Sequence, residues 1–92
     1  MAKLNADDKL RIYRFFIEDL HLKGTQLYTY AVLYRDSGEG AHECKIDYEQ
    51  IMGWTRLKTI KSAKNNIREL LMKGLIEISR REHEEVYINI CK

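Results

Sequence analysis

The fold is decided by residues 47–90, which read DYEQIMGWTRLKTIKSAKNNIRELLMKGLIEISRREHEEVYINI. At the start of this stretch, Asp47 and Gln50 have nearly the spacing of a capping box, in which two residues satisfy the first free N–H groups of a helix. They predict a short helix over residues 48–52. Gly53 follows it, and glycine is the residue expected where a helix ends in the left-handed region.

A longer helix follows and ends at Lys73, with Gly74 as its C-cap. Its apolar residues recur at helical spacing and form one stripe: Ile60, Ala63, Ile67, Leu70 and Leu71. The start of this helix stays open, because Thr55 and Thr59 are both good N-caps. The longest helix that this allows covers about residues 56–73. With either start, the same set of polar residues faces away from the stripe: Lys58, Lys61, Ser62, Asn65 and Arg68.

The last residues predict a β-hairpin. Residues 75–80 and 86–90 both alternate between apolar and polar side chains, and the polar residues 81–85 connect them. One face of the hairpin then carries the apolar side chains and packs on the helices. These side chains are Ile76 and Ile78 on the first strand, and Val86, Ile88 and Ile90 on the second.

The N-terminal half contributes one clear helix, over residues 25–36, followed by a loop at 37–40 and a brief strand within 43–46. Residues 7–22 allow two interpretations, a helix or a strand that leads into a short helix. We expect them to be an extension that packs on the core, and residues 1–6 to be a loose tail. The whole chain, 1–92, is predicted to be a single domain.

Together these elements predict an α+β fold, with a three-helix core and a C-terminal β-hairpin. Two helices joined by a glycine-containing turn and followed by a hairpin are typical of the winged helix-turn-helix. In that fold the second helix of the pair, called the recognition helix, lies in the major groove of DNA.

Charge supports this interpretation by its distribution rather than by its total. The chain has 16 Lys and Arg against 14 Asp and Glu, a net charge of only +2. Between Thr55 and Lys73, however, the basic residues face a single acid, Glu69. A local basic stripe on a nearly neutral domain is typical of a DNA-binding surface, although most charged stretches are simply solvated helix faces.

We expect these residues at DNA: Arg56, Lys58, Thr59, Lys61, Ser62, Lys64, Asn65, Arg68, Arg80 and Arg81. Asn65 can pair with adenine, and Arg56 or Arg68 can pair with guanine. Lysines suit phosphates better, because an ammonium group is a point charge without the planar fork of a guanidinium. The tip of the hairpin, residues 82–85, is acidic and is not expected to bind phosphate.

Two stretches also resemble a known family. Residues 22–34, LKGTQLYTYAVLY, look like the opening helix of winged-helix domains in bacterial plasmid and phage replication initiators, and helix-turn-helix proteins of mobile elements are similar. Residues 67–76, IRELLMKGLI, resemble the L-x-x-L-x-x-K-G-L-I ending of many winged-helix recognition helices. The resemblance covers about residues 20–90. It implies direct groove contact for Lys58, Thr59, Lys61, Ser62 and Asn65.

The predicted function is therefore double-stranded DNA binding, within a replication initiator or a transcriptional regulator. A homodimer or further domains are expected, because small isolated modules bind weakly. The alternative is a winged-helix module for protein interaction or dimerisation, which the acidic hairpin tip and the low net charge favour. The two differ in whether the basic residues converge on one face or are neutralised by Glu77, Glu82 or Glu84.

Other function classes have little support in the sequence. His42 and Cys44 form an H-x-C pair, but no second pair stands at zinc-ligand spacing. The adjacent acids 7–8 and 84–85 would not flank a substrate, and no glycine-rich loop carries a phosphate-binding lysine. We expect the protein to have no enzymatic activity and to bind no cofactor and no metal. Two unclustered cysteines and the lack of a secretion-signal pattern predict a cytoplasmic protein.

Overall fold

Residues 10–91 of the computed structural model form an α+β fold, in which four helices pack with a three-stranded antiparallel sheet. The elements in chain order are α1 (Arg14–Glu18), α2 (Gly24–Asp36), β1 (Cys44–Lys45), α3 (Tyr48–Thr55), α4 (Ile60–Met72), β2 (Ile76–Glu82) and β3 (Glu85–Ile90). None of the helices in this part of the chain is long and apolar enough to cross a membrane.

Helix α2 is the central element of the core. The sequence predicts an apolar stripe for it, but five consecutive residues, Thr29 to Leu33, are all buried. A helix that is buried all round has neighbours on every side. Helices α3 and α4 supply two of them, and the N-terminal extension supplies another.

The N-terminal extension packs on α2 through aromatic side chains. Phe16 of α1 is fully buried, and its ring centroid lies 5.0 Å from that of Tyr30 and 5.2 Å from that of Tyr34. Neither interpretation of this segment holds in full, because the helix covers only Arg14–Glu18 and residues 10–13 are not a strand. The predicted tail, residues 1–6, and the first residues of the extension, 7–9, lie outside the described residues.

Helix α3 begins as predicted and ends later. The side chain of Asp47 accepts a hydrogen bond from the Gln50 backbone N–H at 3.2 Å. The prediction that Gly53 ends the helix is wrong, because the helix continues to Thr55. Thr55 is buried one turn beyond Ile51, and its hydroxyl donates to the Ile51 carbonyl at 2.7 Å. Packing of this extra turn outweighs the tendency of glycine to stop a helix.

Arg56 ends α3 in place of the glycine. It lies in the left-handed region at φ 63°, and its N–H donates to the Met52 carbonyl at 2.7 Å. Thr59 then caps α4 by accepting a hydrogen bond from the Ser62 N–H at 3.1 Å. Of the two candidate caps, Thr59 is therefore the one used. The broad range 56–73 is too long at its start, because Arg56 and Lys58 lie in the linker between α3 and α4.

The buried side of α4 is narrower than predicted. Ala63, Ile67 and Leu70 are buried, whereas Ile60 in the first turn is 51% exposed. Gly74 ends the helix at φ 75°, and the Leu75 N–H donates to the Leu70 carbonyl at 3.1 Å. This left-handed C-terminus agrees with the prediction.

The sheet has the strand order β1-β3-β2, and its hairpin is tighter than predicted. Arg81 pairs with Val86 and Glu82 pairs with Glu85, so only His83 and Glu84 remain in the turn. The predicted five-residue connection, 81–85, is therefore wrong. Its outer residues extend the two strands into solvent instead, where their backbone groups pair with each other.

Replacing Arg56 by glycine should stabilise the domain. The left-handed conformation is strained for an L-residue, whereas glycine adopts it freely, so we expect Arg56→Gly to raise the free energy of unfolding by about 1 kcal/mol. Urea denaturation measures this change. Arg56→Ala is the matched control, because it removes the same charge but keeps a Cβ atom. Equal stabilities for the two variants would contradict the explanation.

Candidate nucleic-acid interface

The outward face of α4 carries the exposed polar side chains. Residues of an α-helix advance by about 100° each, so the side opposite a buried stripe is set by the sequence. Opposite Ala63, Ile67 and Leu70 this places Lys61, Asn65, Arg68 and Met72. All four are exposed, Met72 to 79%. Three of the predicted DNA contacts thus lie together on one helical surface.

The residues just before and at the start of α4 divide into two pairs. Arg56 and Lys58 are exposed on the linker and precede the N-terminus of the helix. Thr59 and Ser62 bond to each other, since the Thr59 hydroxyl lies 3.0 Å from the Ser62 hydroxyl and also accepts from the Ser62 N–H. Their predicted groove contact remains a prediction, and both already serve to begin the helix.

Ion pairing distinguishes the cations of α4 from several others on the surface. Four cations outside α4 have carboxylate partners, whereas Arg11 and Lys23 have none among the described residues. The pairs are Arg14 with Glu18 at 3.7 Å, Arg35 with Asp36 at 3.2 Å, Lys45 with Glu85 at 3.1 Å, and Arg80 with Glu43 at 2.8 Å. Within residues 10–91, the cations of the linker and of α4, together with Arg81, make no ion pair. These cations are Arg56, Lys58, Lys61, Lys64, Arg68 and Arg81.

Glu69, the one acid of the basic segment, is hydrogen-bonded to a side chain of α2. Glu69 accepts a hydrogen bond from the Gln26 side chain of α2. The side-chain Oε1 of Gln26 in turn accepts a hydrogen bond from the Lys73 ammonium group at 2.8 Å. Glu69 is therefore engaged at the contact with α2 and makes no ion pair with Lys61 or Arg68.

A β-bulge at Ser79 determines which face of the hairpin Arg80 and Arg81 each occupy. Ile78 pairs with Ile88, but Arg80 pairs with Tyr87, so Ser79 and Arg80 together oppose one residue of β3. Arg81 then pairs with Val86, on the face that points towards the helices. Without the extra residue, regular alternation would put Arg80 on that face.

Arg80 is held on the outer face by two carboxylates and one ring. Its guanidinium lies 2.8 Å from Glu43 and from Glu82, and 3.8 Å from the centroid of the Tyr87 ring. Ser79 also donates to Glu43 at 2.7 Å. The Ser79 hydrogen bond and then the Arg80 guanidinium lower the pKa of Glu43, so this carboxylate is charged at neutral pH. We therefore do not include Arg80 in the interface, although the sequence predicts it there.

A groove of about 420 Å³ runs between α4 and the hairpin. Lys64, Arg68 and Arg81 line it as cations, and Glu84 of the turn lines it as an acid. The Lys64 ammonium lies 5.8 Å from the centroid of the Tyr48 ring, which also lines the groove. The basic surface of α4 thus continues from its outward face into this groove.

Asn66 fixes α4 on α2 and is the residue that the sequence interpretation missed. Its side-chain NH₂ donates to the hydroxyls of Thr25 at 3.1 Å and Thr29 at 3.3 Å. Thr29 also donates to the Thr25 carbonyl at 2.8 Å. Two features of the sequence could have indicated this contact. Asn66 stands beside Ile67 at the edge of the buried stripe, and the two threonines have i, i+4 spacing.

The described residues contain no metal-binding cluster and no disulfide. Within 10–91 no three His, Cys, Asp or Glu side chains come together as a metal-binding group. Cys44 and Cys91 are free thiols, and burial raises the pKa of Cys44 to about 11, so this thiol stays protonated at neutral pH.

No protein-family model, curated protein or solved structure matches the chain. The resemblance to replication initiators therefore stays a prediction.

The neighbours Asn65 and Asn66 should respond differently to truncation. Asn66→Ala removes two hydrogen bonds between α2 and α4, and we expect the free energy of unfolding to fall by about 1–2 kcal/mol. Asn65→Ala, on the exposed face, should change it by less than about 0.5 kcal/mol. Urea denaturation of both variants compares them. A similar loss of stability in the two would mean that Asn66 does not hold the helix in place.

Proposed function

We propose that the protein is a winged helix-turn-helix domain that binds double-stranded DNA, with α4 in the major groove. The observation that carries this proposal is the contrast in ion pairing. Carboxylates pair with Arg14 of α1, Arg35 of α2, and Lys45 and Arg80 of the sheet, whereas all three cations of α4, Lys61, Lys64 and Arg68, make no ion pair with any described residue. Unpaired cations gathered on one helix are suited to a polyanion, because each can neutralise one phosphate.

The order of the elements supports the same function. Helices α3 and α4 are joined by a short linker, 56–59, and the hairpin of β2 and β3 follows directly. In helix-turn-helix proteins the second helix of such a pair enters the major groove, and its N-terminal residues contact the bases. Helix α4 has that position, and its N-terminal end has Arg56 and Lys58 beside it.

The spacing along α4 matches the roles that DNA recognition needs. Lys61, Asn65 and Arg68 occupy successive turns of a 13-residue helix, on the side that faces solvent. Asn65 can make paired hydrogen bonds to adenine and Arg68 to guanine. Lys58, Lys61 and Lys64 are suited to the phosphates that flank the groove.

The hairpin makes only a limited contribution to this surface. Arg81 makes no ion pair within residues 10–91 and lines the groove next to α4, while Arg80 is neutralised on the opposite face. The acidic turn at residues 82–85 would be repelled by phosphate. The proposed complex therefore depends on α4, the linker before it and Arg81, with the hairpin tip held away from the DNA.

The resemblance to plasmid and phage replication initiators suggests the process in which this DNA binding takes part. We propose a role in replication initiation or transcriptional regulation, in which DNA specificity comes from a dimer or from further domains. A single module of this size contributes only part of a specific interface.

Removing two cations from α4 should abolish most DNA binding. We expect Lys61→Ala combined with Arg68→Ala to weaken binding to a labelled random duplex by about tenfold or more, because each neutralised phosphate releases counterions. Fluorescence anisotropy across a salt series measures both the affinity and its salt dependence. The wild-type affinity should fall steeply with salt, and the slope should be shallower in the variant by about 0.9 for each phosphate that the variant no longer neutralises.

The matched control for net charge is Arg14→Ala combined with Lys23→Ala. It removes two exposed cations outside the proposed interface, one from α1 and one just before α2. This control should bind DNA with nearly the wild-type affinity. Equal reductions of affinity in the two double variants would mean that only net charge matters, and absence of binding at low salt would overturn the proposal for this domain.

The two neighbouring arginines of β2 should differ in their effect on DNA. Arg81→Ala should weaken duplex binding by about threefold to tenfold, since it removes an uncompensated cation near α4. Arg80→Ala should have a smaller effect, because its charge is already compensated by Glu43 and Glu82. The same anisotropy assay at one low salt concentration compares them. A larger reduction for Arg80→Ala would show that its carboxylate partners release it in the complex.

A further inference from the structure

The groove between α4 and the hairpin has a property that DNA binding does not use, namely an apolar floor. Leu71 of α4 and Val86 of β3 contribute to it, together with Ile78 of β2. Ile78 is 37% exposed, although it is on the same face of the strand as the fully buried Ile76. The groove volume of about 420 Å³ lies within the range of about 300–1,000 Å³ that is usual for ligand-binding clefts.

Cations line this apolar floor. Lys64 and Arg68 lie on the α4 side, and Arg81 lies on the hairpin side. Glu84, in the turn, is the one acid among the described residues that lines it, so the groove carries a net positive charge. A ligand that fills the groove therefore has to bring acidic groups for Lys64, Arg68 and Arg81 together with an apolar group for the floor.

We propose that this groove docks a short acidic peptide segment that carries an apolar side chain. The carboxylates of the segment pair with Arg68 and Arg81, and the apolar side chain covers Ile78. Guanidinium groups bind carboxylates through paired, charge-assisted hydrogen bonds, which fixes the peptide between helix and hairpin. Repulsion by Glu84 keeps the acidic groups away from the turn.

A nucleic acid fits the groove less well than such a peptide. The sugar–phosphate backbone offers charge, but it has no large apolar side chain to cover Ile78 and Leu71. The surface proposed for the duplex is the outward side of α4, which carries Lys61 and Asn65. Those two residues do not line the groove.

Peptide docking and DNA binding share three cations, Lys64, Arg68 and Arg81. The peptide and the duplex should therefore compete, which would make an acidic partner protein a negative regulator of DNA binding. Only this competition rests on the proposed function, because the docking itself does not require that the domain binds DNA.

The test uses two labelled peptides of equal charge with the whole chain. The first is fluorescein-labelled Asp-Asp-Leu-Asp-Asp-Phe-Asp-Asp, and the second has serine in place of leucine and phenylalanine. We expect the first to bind at least about tenfold more tightly in fluorescence anisotropy, because only it can cover the apolar floor. Equal affinities, or no binding of the first peptide, would overturn the proposal.

Variants then locate the peptide on the protein. Ile78→Ser should weaken binding of the apolar peptide by about tenfold without changing duplex affinity. Ile17→Ser is the matched control, because Ile17 is a 50% exposed isoleucine on α1, outside the groove. If Ile78→Ser left the peptide affinity unchanged, the groove would not be the docking site.

Arg81→Gln is a second test variant, and it does not alter the apolar floor. It should weaken binding of both peptides by a similar factor, since both pair with the charge of Arg81. Thermal melting checks that the variant folds. Unchanged peptide binding in Arg81→Gln would also overturn the proposal.

A competition experiment tests the shared surface. Unlabelled apolar peptide should displace a labelled duplex. Peptide binding without displacement would leave the docking intact and count against the shared surface.

Discussion

Burial of one side of α4 against the core is the constraint on which the surface of the domain depends. Ala63, Ile67 and Leu70 have to leave water, and the helical repeat then directs the opposite residues outward. The position of the helix on α2 is fixed further by Asn66, which bonds both Thr25 and Thr29. The candidate interface is thus a consequence of core packing, because Lys61, Asn65 and Arg68 have no other direction available.

Electrostatics then distinguishes this surface from the others. A chain with nearly equal numbers of acids and bases can still present a strongly basic region, provided that its acids are engaged elsewhere. Glu43 is held by Ser79 and Arg80, Glu85 lies beside Lys45, and Glu69 is held by Gln26. These contacts involve exposed groups and contribute little to stability. Their effect is to determine where positive charge remains uncompensated.

The sequence was sufficient for the order and type of the elements from α2 onwards, but it left the type of the N-terminal element open. The α+β class, the two consecutive helices and the C-terminal hairpin follow from apolar periodicity, which reports directly on burial. The local stop and start signals were less reliable. The prediction that Gly53 ends α3 was wrong because the burial of Thr55 favours another turn. The choice between Thr55 and Thr59 as the N-cap of α4 depended on where that turn ended.

The candidate site was predictable on α4 and less so on the hairpin. Periodicity places Lys61, Asn65 and Arg68 on one face without any knowledge of tertiary structure. By contrast, the roles of Arg80 and Arg81 depend on the bulge at Ser79, and serine carries no signal for a bulge. The partners of Arg80 include Glu43, from a distant part of the chain, so its neutralisation could not be inferred from the neighbouring residues alone.

The same bulge has a consequence for self-association. β2 is an edge strand of the sheet, and an edge with regular, unpaired backbone groups is a template for pairing with another chain. The irregularity at Ser79 and the charged residues 80–82 interrupt that template, while the opposite edge, β1, is only two residues long. Both edges of the sheet are therefore poor sites for adding a strand from a second molecule. The sheet is thereby protected from edge-to-edge aggregation.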